Sequence, residues 1–208
     1  MEKIRKLAEL VKPFYDCDDP AHDWPHIGRV AATARKLCEG TSAKLDCVLA
    51  AVYCHDLVNL PKNHPDRSRA SELAADKAEP LLRDSGFSAE EIKIIRTAII
   101  EHSFSRGLKP SLLESAIVQD SDRLDALGAI GVLRCAAVNT QMKSKLYEPF
   151  DPFAELRELD DKTYMVDHYF VKLFKLPDMM MTDAGKKEGH LRVEFMKNFL
   201  QELGKEIR

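Results

Sequence analysis

His55 and Asp56 stand side by side at the end of a stretch, from Leu45 to Cys54, that is almost wholly apolar. Neighbouring residues on a helix point about 100° apart, so two adjacent ligands converge best at a helix end or a kink. A buried carboxylate without a partner is costly, and a metal ion satisfies an imidazole and a carboxylate at once. Two further ligand candidates lie at a distance. His26 sits on the polar face of an earlier helix, and Asp122 lies within Gln119-Asp120-Ser121-Asp122-Arg123-Leu124-Asp125-Ala126. Imidazole and carboxylate donors suit Mn, Fe, Zn, Ni or a loosely held Mg, and leave positions open for water and substrate. Taken alone, the His-Asp pair also fits a structural reading, because the dipeptide arises by chance and a helical histidine is often a satisfied core residue.

The elements that must carry these residues read as helices. Ile4, Leu7, Ala8 and Val11 share one apolar face, as spacings of three and four require. Asp23 is placed to cap the next helix, with Pro25 in its first turn. Ile27, Val30, Ala31, Ala34, Leu37 and Cys38 form that helix's apolar stripe. The third helix, over about 44–57, is apolar enough to be buried on most sides. Two prolines in the run from Asn59 to Ser68 mark a loop. A helix over about 69–83 follows. Ser88 and Glu91 form a capping-box pattern that starts another, ending near His102. Further helices are expected over about 111–127, 129–144, 161–176 and 183–205. Gly128 and Gly131 suit a close approach or a bend. No stretch alternates as a strand would, and nothing repeats. Pro149 and Pro152 offer the one plausible boundary. The expected fold class is all-α, one domain over residues 1–208, with a metal-binding core at about 20–130 and C-terminal helices at about 150–205 packed on it.

Apolar residues make up 45% and charged residues 31% of the 208-residue chain, ordinary values for a soluble domain. A net charge of −3 argues against extended nucleic acid as a partner. The five cysteines, Cys17, Cys38, Cys47, Cys54 and Cys135, form no C-x-x-C pair and read as reduced, mostly buried thiols. The charged N-terminal stretch lacks a long apolar region, and no run approaches the ~20 apolar residues of a membrane span. A soluble, cytoplasmic protein without a membrane partner is expected.

The order of His26, His55-Asp56 and Asp122 resembles the H…HD…D signature of the HD-domain phosphohydrolase superfamily. The surrounding residues carry the likeness further. His22-Asp23-Trp24-Pro25-His26, Cys54-His55-Asp56-Leu57-Val58-Asn59, Lys62, Glu101-His102-Ser103-Phe104 and the run from Gln119 to Gly131 are similar to a bacterial subfamily of short, single-domain HD proteins. Asp151-Pro152-Phe153, Asp160-Asp161-Lys162 and the run from Lys172 to Pro177 extend the likeness to about residues 20–200. The resemblance implies a helical core with one divalent metal ion (Mn, Mg, Ni, Co, Fe or Zn) on His26, His55, Asp56 and Asp122. It also implies hydrolysis of a phosphate ester or anhydride, in a nucleotide or related small molecule, by a water held on that ion. Ser121 departs from the subfamily's frequent Ala, on a side away from Asp122. Asn59-Leu60 departs from the acidic pair of the alarmone hydrolases, which puts their particular acid/base arrangement in doubt here.

Other groups are candidates for the remaining roles. Arg29, Lys62 and Arg67 lie near ligands in sequence and suit a substrate phosphate; the alternative for the loop pair is two solvated cations. His22, in the turn before Pro25, is a candidate proton donor to the leaving group or a partner that supports a metal ligand. His102, at a helix end, suits a substrate phosphate or a second metal, for which His64 is the other available imidazole. It equally suits the helix dipole alone. Asp125 is a candidate for orienting the attacking water or fixing Arg123, and Arg123 for binding substrate; the alternative is an Arg123–Asp125 surface ion pair of small value. Two other functions stay open at this point: a non-catalytic nucleotide sensor on the same fold, and a diiron oxygenase. A homodimer is also compatible with the sequence.

Overall fold

Eight consecutive residues, Cys47 to Cys54, are buried. They form most of α3 (Leu45–Cys54). This helix is the centre of the first of two compact units in the computed structural model, Met1–Asp122 and Arg123–Arg208. The structure describes residues 2–16, 22–60, 64–103 and 106–207. Among these residues every regular element is helical and there is no strand, only an isolated bridge between Lys145 and Tyr164. No helix among them is long and apolar enough to cross a membrane.

In the first unit, α3 is packed by α1 (Glu2–Val11), α2 (Trp24–Cys38), α4 (Ala70–Asp84) and α5 (Ala89–Glu101). A helix enclosed on so many sides has no use for a polar stripe, which explains its near-uniform composition. Its partners each contribute one apolar face: Ile4, Leu7 and Val11 from α1, Ile27, Val30 and Ala34 from α2, Ile92, Ile95 and Ile99 from α5. Local signals set where two of these helices begin. The Asp23 carboxylate accepts from His26 N–H at 2.9 Å. At α5 both halves of the capping box form, Glu91 N–H to Ser88 Oγ at 3.2 Å and Ser88 N–H to Glu91 Oε2 at 2.7 Å.

Helix α6 (Leu113–Asp125) brings Asp122 to the end of the first unit. The second unit contains α7 (Gly128–Met142), α8 (Met165–Val171) and α9 (Asp183–Glu206). Here the structure departs from the helix expected over 161–176. The Asp160 carboxylate accepts from the N–H groups of Lys162 and Thr163, which makes a turn. Lys145 then holds Thr163 and Met165 through its main chain. Only Met165–Val171 is α-helical, and two 3-10 turns, Leu173–Lys175 and Pro177–Met179, complete the segment.

Gly128 starts α7 with φ +73°, and a Cβ there would lie 3.3 Å from the Arg192 side chain. Gly131 is more constrained: a Cβ would meet the Ala126 carbonyl oxygen at 2.3 Å. Helix propensity alone favours alanine over glycine by about 1 kcal/mol, but this clash outweighs it. Gly131→Ala is therefore expected to lower the melting temperature, read by circular dichroism at 222 nm. An increase would show that α7 can shift to accept the methyl group.

Candidate metal centre

The end of α3 must satisfy its last carbonyls, since a helix leaves them without partners of its own. His55 answers with its side chain: its Nδ1 lies 2.7 Å from the Val52 carbonyl. With the proton on Nδ1, the ring presents the Nε2 lone pair on its far side. That Nε2 is buried and makes no well-formed hydrogen bond among the described residues. It faces Asp56 Oδ2 at 3.3 Å and Asp122 Oδ1 at 3.7 Å.

His26 enters from the first turn of α2 and is fully buried. Its Nε2 lies 3.7 Å from Asp56 Oδ2 and 3.6 Å from Asp122 Oδ1. His26, His55 and Asp56 each offer one donor atom within 4.8 Å of the others, close enough to hold a metal ion. Donors about 2.1 Å from one ion lie roughly 3.0–3.4 Å apart when they are neighbours around it. The observed 3.3–3.7 Å needs a contraction of only a few tenths of an ångström. Two imidazoles and two carboxylates fit a divalent cation of borderline character, and the His55 Nε2 is a buried atom in want of one.

His102 joins the group from the C-terminus of α5. Its Nδ1 lies 2.5 Å from the Ile99 carbonyl, the same relation as His55 to Val52. Its Nε2 faces the other oxygen of Asp56, Oδ1, at 3.9 Å, and its ring stands edge-on to His55 with centroids 4.9 Å apart. His22 is half-buried in the turn before α2, with its ring centroid 6.1 Å from that of His26. Arg29, half-buried, lies one turn along α2 from His26.

Other predicted groups are engaged elsewhere. Arg67 donates to the Leu60 carbonyl. Lys62 lies outside the described residues. His64 accepts from the Asp66 N–H. Arg123 and Asp125 each bond to a residue outside α6. Arg123 Nη1 donates to the Met179 carbonyl at 2.6 Å, and Asp125 Oδ2 pairs with Arg134 at 2.9 Å. Both residues are buried, and a buried charge left without a partner is costly. Ser121 turns its hydroxyl back to the Ile117 carbonyl, away from chemistry. Among the described cysteines, burial pushes the thiols of Cys38 and Cys47 up to about 11, which keeps them protonated.

The sequence reading missed Tyr15. It is buried in the 3-10 turn that follows α1, and its hydroxyl donates to the Tyr53 carbonyl at 2.9 Å. Tyr15 lies 6.0 Å from Trp24 and Trp24 stacks on Tyr53 at 5.8 Å, centroid to centroid. Neither residue type nor spacing marks Tyr15, which precedes every motif that carried the family resemblance.

The charges in the site hold one another. Burial alone disfavours a protonated His55, but Asp56 and then Asp122 outweigh it and lift its pKa well above the ordinary imidazole value. Burial alone raises Asp56, but His55 and then His26 hold it well below the usual carboxylate range. Asp122 is lowered in the same way against burial, chiefly by His55. Burial, then the neighbouring His55, lowers His102.

The profile of the HD domain family matches residues 24–127. The uncharacterized protein YpgQ of Bacillus subtilis is 30% identical over 211 aligned residues, which span all of this chain and 95% of that protein. A crystal structure of YpgQ in complex with ADP superposes with a TM-score of 0.75 at 28% identity, covering 98% of this chain and 94% of that one. An HD-superfamily hydrolase from Bacillus thuringiensis superposes with a TM-score of 0.76 at 31% identity, covering 99% and 96%.

The shifts set a pH dependence. In the metal-free protein the carboxylates contribute stability above their unfolded pKa near 4, and lose it as pH falls through their depressed folded values. His55 contributes below its unfolded pKa near 6.5, and loses it as pH rises through its raised folded value. The cluster thus stabilises fully between about pH 4 and 6.5. A divalent ion held at His55 would take the place of its proton, so binding would release protons. The rise in melting temperature produced by Mn, against an EDTA control, is expected to grow from pH 5 to pH 8. A rise independent of pH would contradict the shared use of His55 by proton and metal.

Proposed function

This chain belongs to the HD domain family, and from that premise we propose that it is a divalent-metal-dependent phosphohydrolase acting on a nucleotide or related phosphorylated small molecule. The observation that carries the reading is the convergence of His26, His55 and Asp56 on one point, with Asp122 Oδ1 within 3.7 Å of both imidazoles. These four residues would hold the ion. When bound, a divalent ion supplies Lewis acidity toward a phosphoryl oxygen and a water acidic enough to attack at neutral pH. A nucleotide as the substrate class is supported by the ADP in the YpgQ complex, and hydrolysis by the fold shared with the B. thuringiensis hydrolase.

The remaining residues take their roles from position. His102, its Nδ1 engaged by Ile99 and its pKa lowered by burial, is neutral near pH 7. Its Nε2 then accepts a hydrogen bond from a water or a protonated phosphate oxygen. His22, beside His26, is the proton donor to the leaving group. Arg29 and Lys62 balance phosphate charge, as cations do when negative charge spreads over the equatorial oxygens. Arg67 is held by the Leu60 carbonyl. Asp125 and Arg123, each bound to another partner in the second unit, have no part in this scheme. One ion suffices for it; a second would draw on His102.

The test is a hydrolysis screen of nucleoside mono-, di- and triphosphates with Mn, Mg, Co and Ni, run beside His55→Ala and Asp56→Ala. Removing groups that merely orient a ligand costs about 10–100-fold, so loss of a ligand is expected to cost at least about a hundredfold in both metal content and turnover. The helical circular dichroism should survive. Nucleotide binding without turnover by the metal-loaded wild type would instead favour a sensor. Full activity in either variant would overturn the assignment.

A further inference from the structure

The last carbonyls of α3 are accounted for one by one. Val52 receives the His55 ring at 2.7 Å, Cys54 receives the Leu57 N–H at 3.3 Å, and Tyr53 receives the Tyr15 hydroxyl at 2.9 Å. Two of these partners come from the turn itself. The third comes from 38 residues upstream, beyond the segment that the family profile matches. The Tyr15 oxygen also faces the Asp56 main-chain N–H, and so lies between the two peptide groups that bracket Cys54 and His55. The Lys77 ammonium caps the turn's far end at the Leu57 carbonyl, 3.1 Å away.

We propose that Tyr15 is a positioning residue for the metal centre: its hydroxyl clamps the main chain on both sides of His55 and so sets where the His55 ring and the Asp56 carboxylate point. The proposal rests on the reading of His55 and Asp56 as metal ligands. Its physical basis is that a helix end is the loosest part of a helix, while adjacent ligands tolerate little rotation about it. The ring of Tyr15 also touches Trp24, two residues before His26. One side chain therefore ties the His26 helix to the His55-Asp56 turn.

The experiment compares wild type, Tyr15→Phe and Thr182→Ala. Phenylalanine keeps the ring and removes the hydroxyl. Thr182→Ala removes the N-cap of α9, which accepts from Gly185, and serves as a variant destabilised far from the site in sequence. Co(II) affinity is measured by chelator competition, and its visible d–d absorption is recorded on the folded proteins. Tyr15→Phe is expected to bind Co(II) about 10–100-fold more weakly, the range for outer partners of metal ligands, with a shifted spectrum. Thr182→Ala should match wild type in both. Wild-type affinity and spectrum in Tyr15→Phe, or equal weakening in Thr182→Ala, would overturn the proposal. Absence of Co(II) binding by wild type itself would instead overturn the metal-site reading beneath it. Hydrogen exchange on metal-free wild type gives a check that needs no variant. The Asp56 amide should be protected despite its place beyond the helix end, and rapid exchange there would also overturn the clamp.

Discussion

The physical problem at the heart of the first unit is that its most buried helix ends in two ionisable side chains. Eight consecutive apolar residues of α3 give way to His55 and Asp56 with no intervening polar segment. The ionised carboxylate must find positive charge nearby, and so must Asp122, because neither is fully open to water. They find it in His55 and His26, at 3.3–3.7 Å. The arrangement of the surrounding helices follows from this need. α2 must present its first turn, α6 its last, and α5 its C-terminus to the same point.

Each imidazole reaches that point in a way dictated by its place on a helix. His55 and His102 both follow the last residue of a helix, and both engage a carbonyl three residues back through Nδ1. The same bond relieves an orphaned carbonyl and leaves Nε2 directed at the carboxylates. His26 is held differently, with its backbone N–H bound to the Asp23 cap. Helix ends here serve as mounts for imidazoles, and the bonds that finish each helix also orient each ring. The two oxygens of Asp56 are divided between these mounts. Oδ2 faces His26 and His55, and Oδ1 faces His102.

Much of the fold was legible because it rests on short-range rules. The Asp23 cap, the Ser88–Glu91 box and the enclosed character of α3 involve residues within one turn of each other or one composition, and each is found as the spacing predicts. The segment before α8 was not legible. Asp160, Lys145 and Thr163 impose a turn through main-chain contacts that helical periodicity does not register. At Gly131 the expected close approach is found, but its partner, the Ala126 carbonyl oxygen, could not be read from spacing.

The candidate site divides along the same line. Residue type, order and resemblance were enough to single out His26, His55, Asp56 and Asp122 as candidates, and the described structure brings their side chains together. Partner choice was beyond the sequence. Arg123 bonds to the Met179 carbonyl 56 residues away, and Asp125 to Arg134 on the next helix. Tyr15 reaches Tyr53 across 38 residues of chain. Charge and hydrogen-bonding capacity belong to a residue and can be read from its letter. Which partner satisfies them is decided by distances of about 3 Å, and only the packing of helices sets those.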